Sequence, residues 1–341
     1  MDQTFVCCST YHVYLSILEA YKAKRQGHES VLIFYVDVME GISEFIDNVD
    51  KIGIFKRVLK VNGYTMIRTI KKHYSMRDYF LNRAKIYVDM FDKHYPELVE
   101  LQPFIANSEI NLFQINRTRA YFIIKFPDNF FRMYEDGYGT YTQKLKFLRY
   151  LNRKYITKFP VLKGHDPQIQ EVMVSYPEKM VDPILIPKVK KLDIRPLEDA
   201  ISDEDKSRIV RSLIGDTKVQ NQNATIVITQ PLSEDGICTE TQKKILFEEL
   251  IKAELANGNI VYLKTHPRER TVYTYDYPGF YHLPKFFPLE VFNLSSHMRI
   301  ERAVSFYSTA LYNLKHVDDK VLLGEEHLHK EIEKLTKAGR V

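Results

Sequence analysis

TFVCCSTYHVYLSILEAYKAKRQGHESVLIFYV, residues 4–36, carries three structural signals in succession. Residues 4–8 are a short apolar run of buried-strand type. Residues 11–26 place Val13, Ile17, Leu18 and Tyr21 at helical spacing, Gly27 stops that periodicity, and 31–36 return to β-branched and aromatic residues. Strand, helix and strand joined this tightly predict a βαβ unit and a parallel sheet. The turn after the first strand reads Cys8-Ser9-Thr10-Tyr11-His12. It is neither a G-x-G-x-x-G turn nor a P-loop, which disfavours nicotinamide dehydrogenases and P-loop kinases.

The same alternation continues outward. Residues 42–52, 65–97 and 117–126 read as helical, 56–61, 110–115 and 130–134 as strands, and a helix is expected from about Thr142. Residues 159–197 then hold Pro160, Pro167, Pro177, Pro183, Pro187 and Pro196, six of the 14 prolines, too many for continuous regular structure. A linker is placed there, dividing domains 1–185 and 186–341. The second half repeats the cycle. It has a helix capped by Ser202-x-x-Asp205, strand 225–229, helix 239–257, strand 260–264, helix 289–296, strand 302–305, a helix from about Thr309, strand 320–323 and a charged helix 325–338. The predicted architecture is α/β, two Rossmann-like domains facing a central cleft. Ligands of such sheets sit beyond the carboxyl ends of the strands, so the residues just after each predicted strand carry the functional signal.

The 341 residues allow one large or two ordinary domains, and 45% hydrophobic with 27% charged residues is ordinary globular usage. Net charge is +5, too small over this length to imply nucleic-acid binding by itself. Cys7, Cys8 and Cys238 form no C-x-x-C pair and suggest a reducing, cytoplasmic compartment. No stretch has the length and apolarity of a membrane span, and the amino-terminal stretch lacks the basic n-region of a signal peptide.

Four strand-end motifs carry chemistry. Glu135-Asp136-Gly137 forms an acidic turn able to present one carboxylate as a general base. Lys264-Thr265-His266-Pro267-Arg268 groups cationic donors where a phosphate could bind. Ser308 and Thr309 fall at a helix start, where hydroxyls and backbone N–H groups either cap the helix or hold an anion. Residues 228–236 follow the first strand of the second half with a second acidic turn, Glu234-Asp235-Gly236. For metals, His327-Leu328-His329 reads as a solvated helical face, and Asp203-Glu204-Asp205 as first-turn acids that complement a helix dipole. No metal site is expected.

In their order along the chain, these motifs resemble bacterial sialyltransferases of the lipooligosaccharide sialyltransferase type (glycosyltransferase family 52-like), with capsule sialyltransferase kin. Members share a D/E-D/E-G motif, an H-P motif and a Ser/Thr motif, matched here by Glu135-Asp136-Gly137, His266-Pro267 and Ser308-Thr309. The opening CCSTYHVYLSIL is also similar, so the resemblance spans roughly residues 4–315. It implies a GT-B fold and metal-independent, inverting transfer of sialic acid from CMP-sialic acid to a galactose-type hydroxyl of a surface glycan, capsule or lipooligosaccharide. Asp136 would be the base and His266 would bind the leaving phosphate, with Lys264, Pro267, Gln230, Ser308 and Thr309 on the donor side. Glu135 and Gly137 would hold the turn. Some members carry the base before the H-P motif, which makes Asp235 the alternative. No cofactor is implied. Two rivals stay open: a GT-B enzyme using another nucleotide sugar such as UDP-glucose, and a non-catalytic glycan- or nucleotide-binding protein.

Partners follow from charge. Residues 142–163 contain seven Lys and Arg and no Asp or Glu, interleaved with aromatic and aliphatic side chains. This predicts peripheral contact with an anionic membrane at its inner face, as against a solvated helix packed on the core. A homodimer is the default for oligomeric state, and nucleic acid is not an expected partner.

Overall fold

The computed structural model describes residues 1–75, 77, 79, 82–113, 119–136, 139–142, 147–152, 155, 159–160, 164–215, 223–295, 300–308, 310–311, 314 and 317–339. The chain divides into two compact units, Met1–Ile201 and Ser202–Val341.

The first unit is built on a seven-stranded sheet of order β3-β2-β1-β4-β5-β6-β7, with every neighbouring pair parallel. Its strands are β1 (Asp2–Cys7), β2 (Ser30–Tyr35), β3 (Arg57–Val61), β4 (Ser108–Phe113), β5 (Phe131–Tyr134), β6 (Ile169–Val174) and β7 (Val189–Lys191). All six residues of β2 are buried, the pattern of a parallel strand covered on both faces. Between β1 and β2 runs the helix Thr10–Arg25. Ser9 caps it by accepting the His12 N–H, Lys22, Lys24 and Arg25 complement the dipole in the last turn, and Gly27 follows at φ +80°. Strand order reverses between β1 and β4, which makes their carboxyl ends the switch point of this sheet.

The proline-rich stretch is not a linker. Its prolines fall outside the strands and frame them, and β6 and β7 extend the first sheet. Further on, Tyr14 donates to Glu198 Oε1 at 2.7 Å and Arg25 to the Ala200 carbonyl at 2.9 Å, tying helix Arg195–Asp199 back to helix Thr10–Arg25. These contacts move the boundary from the expected 185/186 to 201/202. The single helix expected over 65–97 is instead divided into Gly63–His73 and Arg83–His94, and Pro96 then opens a short further helix.

The second unit has a five-stranded parallel sheet of order β10-β9-β8-β11-β12. Here β8 is Ala224–Ile228, β9 Ile260–Lys264, β10 Phe280–His282, β11 Arg302–Ser305 and β12 Asp319–Leu322. The switch point lies between β8 and β11. Ser202 caps helix Asp203–Ile214 through the Asp205 N–H, and a capping box of Thr239 and Gln242 opens helix Glu240–Ala256. The three-residue edge strand β10 was not anticipated, residues Leu289–Leu294 form a 3-10 helix, and the helix expected from Thr309 begins outside the described residues. Among the described residues, no helix is long and apolar enough to cross a membrane.

Candidate active site

In the first unit, the acidic turn follows β5 directly. Glu135 is buried and its carboxylate accepts from the Tyr141 hydroxyl, the Ser175 hydroxyl and, at 3.0 Å, the Ser175 N–H. It anchors the turn to the end of β6. Asp136 goes the other way. Its Oδ1 lies 2.9 Å from His12 Nε2, its backbone N–H donates to Thr140 Oγ1 at 2.9 Å, and its side chain keeps 30% of its surface. Two adjacent carboxylates are thus separated in role by their partners. Gly137 lies outside the described residues.

His12 is fully buried on the first turn of helix Thr10–Arg25. Its Nδ1 accepts the Cys8 N–H at 3.3 Å, which leaves the ring proton on Nε2, facing Asp136. Burial opposes the charge of Asp136. The hydrogen bond from His12, with the buried Arg119 guanidinium nearby, outweighs that penalty and holds the carboxyl below its ordinary pKa. Asp136 is therefore ionised at neutral pH and partly open to solvent, the state a general base requires. Cys7 and Cys8 are buried, as expected of core residues.

In the second unit, three strand ends meet. At β8, Thr229 Oγ1 accepts the His266 N–H at 3.2 Å, while Gln230 Oε1 accepts from the Tyr307 N–H at 3.2 Å and the Ser305 hydroxyl at 3.3 Å beyond β11. Gln230 thus bridges the two strands of the switch point. Beyond β9, His266, Pro267, Arg268 and Glu269 make a tight turn in which the Glu269 N–H donates to the His266 carbonyl at 3.0 Å. Beneath it, Glu269 and Lys243 are wholly buried, their charged atoms 3.4 Å apart, and Lys243 also donates to Glu234 at 2.7 Å. This charged floor fixes the turn.

His266 remains partly exposed. Burial, with Arg268 and Lys264 nearby, pushes its pKa down to about 4, so the ring is neutral at physiological pH. Lys264 departs from the expectation that it assists at a phosphate. It is 3% exposed, its ammonium donates to the carbonyls of Thr265 at 2.9 Å and Lys285 at 2.7 Å, and burial lowers its pKa to about 7. Of Lys264, His266 and Arg268, the last two reach solvent. Asp235, the alternative base, holds both its oxygens 3.2 Å from the Arg268 guanidinium. Ser308 Oγ accepts the Ala310 N–H at 3.4 Å, and Thr309 lies outside the described residues.

Sequence reading missed His12 and Arg119. His12 lies on the first turn of the predicted helix, just after the end of a predicted strand, which was a usable signal, but its partner is 124 positions away.

Parallel α/β units that gather acid, histidine and hydroxyl groups at strand ends form the kind of scaffold on which loops carry function. The chain belongs to the alpha-2,8-polysialyltransferase family, whose model matches residues 3–320. The resemblance read from the motifs therefore holds at the level of a sialyltransferase family, and the family is this one instead of the lipooligosaccharide type. An uncharacterized protein of Haemophilus influenzae is 29% identical over 241 residues, which are 68% of this chain and 76% of that protein. Among solved structures, UDP-GlcNAc 2-epimerase from Neisseria meningitidis bound to UDP-GlcNAc aligns at a TM-score of 0.49 and 11% identity, covering 99% of this chain and 91% of that one. The Methanocaldococcus jannaschii UDP-GlcNAc 2-epimerase in complex with UDP-GlcNAc and UDP aligns at 0.45 and 9%, covering 98% and 92%.

Proposed function

We propose that this protein is an inverting, metal-independent sialyltransferase of GT-B type that uses CMP-sialic acid as donor. The observation that carries this reading is the family match over residues 3–320. The ionised, partly exposed carboxylate of Asp136 supports it. Asp136 takes the proton of the acceptor hydroxyl as that oxygen attacks the anomeric carbon of sialic acid. The bond from that carbon to the CMP phosphate oxygen breaks, and CMP leaves with the electron pair. His266, neutral and carrying its proton on Nε2, donates a hydrogen bond to the phosphate as its charge grows. Gln230 and Ser308, at the switch point of the second sheet, are assigned to the donor as well. The family's description favours the 8-hydroxyl of a sialic acid as the acceptor we propose. A galactose-type hydroxyl of a capsule or lipooligosaccharide glycan comes second.

The test is CMP release from CMP-sialic acid in the presence of EDTA, with oligosialic acid, with lactose and with no acceptor, and with UDP-glucose as a control donor. Release stimulated by oligosialic acid supports the full reading. Stimulation by lactose alone moves the acceptor to galactose, turnover of UDP-glucose alone overturns the donor, and loss in EDTA overturns metal independence.

We further propose that the enzyme works on the inner face of the membrane through the basic stretch 142–163. Most of its basic side chains lie outside the described residues, while Leu148 and Tyr155 within it are exposed. Flotation with anionic liposomes that weakens with salt is the expected result, and absence of flotation removes the proposal. Light scattering on the purified protein checks the homodimer.

A further inference from the structure

Three strand ends of the first sheet contribute one ring each to a continuous stack. His12 follows β1, Phe113 ends β4 and Tyr134 ends β5. The centroids of His12 and Phe113 are 4.5 Å apart at an interplanar angle of 18°, and those of Phe113 and Tyr134 are 5.0 Å apart at 23°. All three are buried. The chain then turns at Glu135, and Asp136 reaches back across the end of β4 to His12 Nε2. On its other side the imidazole is held by the Cys8 N–H at 3.3 Å and faces the Cys8 thiol at 3.6 Å. Both ring nitrogens are engaged and no part of the ring reaches solvent, so His12 cannot itself touch a substrate. Among the described residues, the titratable and charged groups that act on the pair are Cys8 and Arg119.

We infer that His12 is the positioning residue of the base, locking Oδ1 of Asp136 by a hydrogen bond so that Oδ2 is left for the acceptor hydroxyl. This rests on the reading of Asp136 as the base. The lock fixes the carboxylate's rotation with a group that is itself immobilised by ring stacking and by the backbone of the β1 turn. Without it, a carboxylate on a glycine-flanked turn is free to rotate away, and a misplacement of about 1 Å costs on the order of 10²-fold in rate. The lock also favours the ionised carboxylate against the burial that disfavours it.

The experiment compares wild type with His12→Gln, His12→Ala and Asp136→Asn, measuring kcat and KM for donor and acceptor from pH 3 to 9 and the melting temperature of each. His12→Ala is expected to lower kcat about 10²-fold with little change in the donor KM, and to move the acid limb of the kcat profile to higher pH. His12→Gln, which keeps an N–H near the place of Nε2, is expected to recover part of both. If His12→Ala does not fold, the Gln variant and the ¹⁵N imidazole spectrum of wild type carry the test, with His12 protonated on Nε2 expected. A kcat unchanged in both variants, a loss of kcat with the acid limb unmoved, or an Nε2 that carries no proton overturns the inference while an inactive Asp136→Asn leaves the base reading in place. Full activity in Asp136→Asn overturns the base reading itself.

Discussion

The backbone N–H of Arg268 donates to Nδ1 of His266 at 3.1 Å, which leaves the proton of the neutral ring on Nε2. A histidine proposed to meet a phosphate is commonly pictured as a cation. Here the turn that contains it, together with burial and two neighbouring cations, makes it a neutral donor.

Replacing His266 by Ala is therefore expected to reduce kcat by about 10²- to 10³-fold, the usual cost of removing one donor from a developing anion. His266→Gln should retain part of the rate. In the ligand-free protein the ring should titrate near pH 4, and an NMR midpoint at the ordinary 6.5 would contradict this placement.

Glu135 and Asp136 should separate cleanly on mutation. Glu135→Ala strands the Tyr141 hydroxyl and the Ser175 donors and is expected to cost about 2–3 kcal/mol of stability, read from urea unfolding. Asp136→Asn keeps an oxygen for His12 and should melt near wild type, while its kcat falls by about 10²- to 10⁴-fold.

Beneath the His266 turn, burial opposes the charge of Glu234, but Lys243 and the Arg270 N–H hold its pKa down at about 2. A carboxylate whose folded pKa is depressed contributes stability that is present above its unfolded value near 4.5 and lost as pH falls toward 2. Acid unfolding of wild type should show this loss, and Glu234→Gln should flatten it. Lys243→Met leaves the buried Glu269 without its cation and is expected to cost about 3–5 kcal/mol.

Gly164 adopts φ +80°, and a Cβ there would lie 2.9 Å from Met133 Cε and 3.3 Å from Leu185 Cδ2. Gly164→Ala is expected to destabilise the protein by about 2 kcal/mol through backbone strain and this crowding, measured by thermal melting.

Much of the architecture was legible because it is local. The βαβ opening, the cap at Ser202, the helix beginning near Thr239 and strands β9 and β11 follow from periodicity and end signals within a few residues of each other. β6 and β7 were hidden because prolines were weighed by their number, whereas what matters to a ladder is whether they interrupt it, and these stand between strands. Lys264 was read as a ligand-facing cation because it ends a strand. The pleat decides which way such a side chain points, and here it points inward to two carbonyls.

Local order along the chain determined the α/β alternation and the placement of the acidic and His-Pro turns at strand ends. Tertiary structure alone decided which carboxylate is buried and which is open, where the first unit ends, and that His12 meets Asp136 across 124 residues. The reason is physical: periodicity and capping are set by neighbours within a turn or two. Protonation state and side-chain aim are set by groups that only the parallel stacking of β1, β4 and β5 brings within hydrogen-bond distance.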